Sequence, residues 1–92
     1  MEYMIEKFIN VINAYRILEL KLEKIEYGYK LTITKSPVKL DSRLVGLKIN
    51  NEPMFEPLKD KDKNLYLVTY LYKEDYAEKL IKIDTTIRSC IK

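Results

Sequence analysis

The chain has 92 residues, 47% of them apolar and 34% charged, with a net charge of +3, which bounds it to one small domain with a modest core. Its longest uncharged apolar run, Leu65 to Tyr72, is far short of the roughly 20 residues a spanning helix needs, and Glu2 and Glu6 stand where a secretory leader would be basic and then apolar. Cys90 has no second cysteine to pair with, so no internal disulfide forms and a reducing, cytoplasmic setting is expected, in the producing cell or its host.

The first segment carries Met4, Ile5, Phe8, Ile9, Ile12 and Tyr15 at helical spacing, with Glu6, Lys7, Asn10 and Asn13 opposite. Leu18, Leu22 and Ile25 continue that stripe. Leu18, Leu20 and Leu22 also alternate with Glu19, Lys21 and Glu23, which is strand spacing. Because no Gly, Pro or Asn interrupts the chain between Tyr15 and Glu26, one long helix to about residue 24 is preferred.

Ile25, Tyr27, Tyr29, Leu31 and Ile33 alternate with polar residues and predict a half-buried strand ended by Ser36-Pro37. Val45, Leu47 and Ile49 predict a second, closed by the turn residues Asn50-Asn51. An irregular stretch from Asn50 to Asn64 follows, holding Pro53, Pro57 and the charged run Lys59 to Lys63. Leu65 to Tyr72 predicts a third strand, apolar on both faces as in a central position. Tyr76, Leu80, Ile83, Ile87 and Ile91 form a last helical stripe, with Ala77 and Cys90 beside it; Glu74 and Asp75 at its start and Arg88 and Lys92 at its end suit the helix dipole. The expected fold is therefore α+β: a helix, a three-stranded antiparallel sheet and a helix (αβββα).

Catalytic chemistry finds little support. There is no histidine, so the commonest general base and metal ligand is missing, and with one cysteine no tetrahedral zinc site can be assembled. Two glycines make no phosphate-cradling loop. Asp60, Asp62 and Asn64 mimic the start of a calcium loop, but its obligatory glycine falls on Leu65 and its closing glutamate on Leu71. No catalytic residue, metal or cofactor is expected.

Three features suit binding. Tyr66, Tyr70 and Tyr72 share one face of the third strand, and Tyr76 opens the next helix; tyrosine offers large contact area at low entropic cost. Met54 and Phe55, between Pro53 and Pro57, form either an apolar plug offered to a partner or a cap on the core. Lys35, Lys39, Arg43 and Lys48 make one basic segment and Lys79, Lys82 and Arg88 another, which together would follow a phosphate backbone if the fold brings them together.

The order helix, three strands, helix resembles the topology of double-stranded RNA-binding domains. That family opens its last helix with a basic stretch, whereas Lys73-Glu74-Asp75-Tyr76-Ala77-Glu78-Lys79 is net acidic here, so nucleic-acid binding ranks second. The leading expectation is a small protein-interaction module. Lys, Ile, Asn and Tyr are abundant, as in an AT-rich genome; short proteins of this kind are often encoded by phages or other mobile elements, and on that general ground an accessory protein that inhibits a host enzyme or defence complex is expected. A self-assembling subunit, pairing as a homodimer through the tyrosine face, is a third reading. No membrane partner is expected.

Overall fold

The computed structural model describes residues 2–36 and 38–90; the side chain of Met4 and the expectations placed on Pro37, Ile91 and Lys92 lie outside what it describes. The elements run α1 (Glu2–Ala14), β1 (Glu19–Ile25), β2 (Gly28–Lys35), α2 (Val38–Val45), β3 (Lys48–Ile49), β4 (Glu52–Pro53), β5 (Glu56–Lys59), β6 (Leu65–Tyr72) and α3 (Tyr76–Cys90). β1, β2, β6 and β5 form an antiparallel sheet in that order, and β3 and β4 make a separate small hairpin. No helix among the described residues is long and apolar enough to cross a membrane.

This is an α+β domain, but the sheet has four strands rather than three, and there are three helices among the described residues. The first departure is at residues 19–25, which form an edge strand and not the end of a long helix. The helix stops because Arg16 turns into the left-handed region (φ 59°), while Tyr15 and Arg16 close the last turn by bonding the carbonyls of Ile12 and Asn13. Arginine carries no local mark of that conformation, unlike glycine. The two central residues of the β1–β2 turn, Glu26 and Tyr27, are likewise neither glycine nor asparagine: Ile25 pairs with Gly28, and Tyr27 takes φ 68°.

The second departure is at residues 38–49. Leu40 and Leu44, one helical turn apart, are buried on α2, so the predicted second strand shrinks to the two residues of β3. Asn50 and Asn51 both take positive φ (54° and 65°) between Ile49 and Glu52, as a tight hairpin turn requires. The third is in the segment expected to be irregular, where Glu56–Lys59 adds an outer strand to β6. Pro57 is acceptable there because an edge strand leaves one row of N–H groups unused.

All three helices contribute to one core. Ile5, Ile9 and Ile12 of α1, Leu40 and Leu44 of α2, and Leu80, Ile83 and Ile87 of α3 join Leu20, Tyr29, Leu31, Ile33, Leu67 and Leu71 of the sheet. In the register, those sheet residues lie on one face. The other face presents Lys21 and Glu23 of β1, Lys30 and Thr32 of β2, and Tyr66, Val68, Tyr70 and Tyr72 of β6.

Side chains close parts of the sheet's edges. On β1, Asn13 Oδ1 accepts from the Leu20 N–H at 2.9 Å and its Nδ2 donates to the Leu20 carbonyl at 3.3 Å. On β6, the partner strand β5 reaches only to Val68. Beyond it, Lys79 Nζ donates to the Tyr70 carbonyl, Asp75 Oδ1 accepts from the Tyr72 N–H at 3.2 Å, and Lys79 and Asp75 pair with each other at 3.2 Å. These contacts satisfy backbone groups that a longer β5 would otherwise have bonded.

Candidate functional site

The first and last thirds of the tyrosine strand have different surroundings. Tyr66 borders a shallow groove of about 550 Å³ with Lys21, Glu23, Thr32 and Thr34. The Asp60–Asn64 turn lines that groove too. Asp60 Oδ1 accepts from the backbone N–H groups of Asp62 and Asn64, both at 2.9 Å, so the calcium-like spacing serves a tight turn. Among the described residues no group of carboxylates, Cys or His is gathered to hold a metal.

Tyr70 and Tyr72 stand at the other end. Their rings stack with centroids 6.4 Å apart and planes 12° off parallel. Tyr70 is 39% exposed. The ring of Tyr72 lies over Gly28, its cross-strand partner: a Cβ at Gly28 would come within 2.8 Å of Tyr72 Cδ1 and would collide with the Leu71 carbonyl oxygen. Glycine at this position therefore lets the ring settle on the sheet. Val68, 3% exposed, is buried on this same face but outside the main core cluster.

Both rings border a groove of about 720 Å³ between β6 and the β4–β5 segment, with Met54, Phe55, Glu52 and Glu56 on its other side. Four of the six residues expected to meet a partner thus converge: Met54, Phe55, Tyr70 and Tyr72. Met54 and Phe55 are not a protruding plug. Both are buried in the core, Met54 also donating its N–H to the Leu47 carbonyl at 3.0 Å, so they form the groove's inner wall. Tyr76 is half-buried and packs against the core cluster.

The groove's charge is uneven. Glu52 and Glu56 are exposed and form no ion pair among the described residues, whereas Lys79 is held by Asp75 and the Tyr70 carbonyl. Thr69 also lines the groove; it is 2% exposed, and its Oγ1 has no hydrogen-bond partner among the described residues. Neither glutamate is distinguished in the sequence from a dozen other carboxylates, and no pattern there marks Thr69.

The basic residues divide differently. Arg43 Nη1 donates to Ser89 Oγ at 3.1 Å and approaches Cys90 Sγ at 3.2 Å, and Lys82 Nζ donates to the Lys48 carbonyl, so the α2–β3 and α3 segments do meet. Each α3 cation also has its own carboxylate one turn back: Lys79 with Asp75, Lys82 with Glu78 at 4.0 Å, and Arg88 with Asp84 at 3.0 Å. Asp84 raises the Arg88 pKa above its ordinary value by hydrogen bonding and charge. Lys39 is exposed on α2, and Lys35 lies apart from these, beside Arg16 and Glu19 near the α1–β1 turn. The half-buried Cys90 packs against the core.

No protein-family model, no curated protein and no solved structure matches this chain.

Proposed function

We propose that this chain is a small non-enzymatic protein-interaction module whose contact surface is the open sheet face and groove around Tyr70 and Tyr72. The observation that carries the reading is the stacked, partly exposed Tyr70–Tyr72 pair on the face opposite the helix core, running directly into a groove walled by Met54 and Phe55. Aromatic rings held rigidly beside an apolar wall are what interface anchors are made of. The AT-rich composition accords with an accessory protein of a phage or mobile element acting on a host protein, and this is the partner class proposed.

The test compares binding with folding. A partner is captured from the source organism or its host with nuclease present, then assayed against Tyr70→Ala and Tyr72→Ala, with thermal melts in parallel. An anchor ring costs about 2 kcal/mol or more of binding. Loss of the partner with a melting temperature close to wild type supports the reading; binding and stability falling together in proportion overturn it.

Nucleic-acid binding is the second reading, favoured by the contact of the α2–β3 segment with α3, through Arg43 to Ser89 and Lys82 to the Lys48 carbonyl. It requires a steep fall in affinity for RNA or DNA with salt. The carboxylate paired with each α3 cation argues against it.

A further inference from the structure

We infer that the groove beside Tyr70 and Tyr72 receives the guanidinium of an arginine side chain from the partner protein. This rests on the proposed interaction function and adds the chemistry of the occupant.

Charge is the first argument. Glu52 and Glu56 line the groove, both exposed and neither ion-paired among the described residues. Lys79, the one cation among the lining residues, is committed to Asp75 and to the Tyr70 carbonyl. Lys30, the cross-strand neighbour of Tyr70, has Glu23 as its other neighbour across the sheet. The groove therefore presents two uncompensated negative charges beside two π-faces.

The choice of cation follows from shape. A guanidinium is planar, stacks on an aromatic face and is weakly hydrated, while its rim carries donors suited to carboxylates. A phosphate or an acidic segment would meet Glu52 and Glu56 with like charge.

The test titrates the isotope-labelled full chain with the capped peptide acetyl-Gly-Arg-Gly-Arg-Gly-amide. Controls are the same peptide with citrulline, which keeps the shape without the charge, and a uridine oligonucleotide. The expected result is amide shifts concentrated at Glu56, Tyr70 and Tyr72 with the arginine peptide, and clearly weaker binding of the citrulline peptide. Glu52→Gln with Glu56→Gln should weaken the arginine peptide by roughly threefold to tenfold, the effect of losing two exposed charge pairs, without moving the melting temperature. Equal binding of both peptides, no shift at these residues at millimolar peptide, or preferential binding of the oligonucleotide overturns the inference. If arginine fails while Tyr70→Ala still releases the captured partner, the interaction surface stands and only the occupant is wrong. If Tyr70→Ala releases nothing either, both proposals fall.

Discussion

The two faces of the sheet are built from different kinds of residue. The helix-covered face is made almost wholly of aliphatic side chains, with Tyr29 and one misplaced hydroxyl, Thr69. The opposite face carries three tyrosines, threonines and charged side chains, and buries only Val68 among its large apolar residues. Aliphatic side chains have nothing to offer water and must be covered, whereas a tyrosine tolerates a wet edge and keeps an apolar body ready for contact. The first face therefore stores folding energy, and the second leaves its surface for use.

Substitutions should separate the two. Ile83→Ala, at a fully buried α3 position, should cost about 2–5 kcal/mol of stability in denaturant unfolding, with groove binding retained by the molecules still folded. Gly28→Ala strikes where the faces meet. Its methyl would meet the Leu71 carbonyl and the Tyr72 ring, so it should cost about 1–3 kcal/mol and also shift the Tyr72 resonances. Thr69→Val should raise stability by about 1 kcal/mol, because it removes a buried hydroxyl without a partner; a lower melting temperature would show that the hydroxyl is satisfied. Tyr70→Ala should change unfolding free energy least, by about 1 kcal/mol or less, mostly the stacked pair. A large loss there would make Tyr70 a core residue and erase the contrast.

The sequence showed the parts of this fold whose signals are local. The period of α1 and α3, the alternation of β2, the two-sided apolar run of β6 and the Asn50-Asn51 turn could all be read from side-chain type and spacing. The departure at β1 came from residues adopting conformations without their usual markers. Arg16 and Tyr27 take positive φ where glycine or asparagine is customary, so the end of α1 and the β1–β2 turn had no visible punctuation. The candidate groove was half legible. Tyr70 and Tyr72 stand out on their strand, but Glu52 and Glu56 gain meaning only when the β3–β4 hairpin and the short β5 bring them alongside β6. The spare hydroxyl of Thr69 depends on the burial of its neighbours, which no local pattern encodes.

The clasp of Asn13 on Leu20 bears on how copies of this chain behave at high concentration. A primary amide presents one donor and one acceptor in the geometry of a peptide, so Asn13 occupies the place where a foreign strand would begin to zip. With Leu20 taken, the outward backbone groups of β1 are left at Leu22 and Lys24, one strand period apart. Two copies pairing antiparallel about Leu22 would each have to release Asn13. Slipping to pair Leu22 with Lys24 instead sets Glu23 against Glu23, a like-charge contact at the symmetry axis. Pairing of two copies through this edge therefore faces a barrier in one register and repulsion in the other, and a single asparagine near the end of the first helix guards the edge against it.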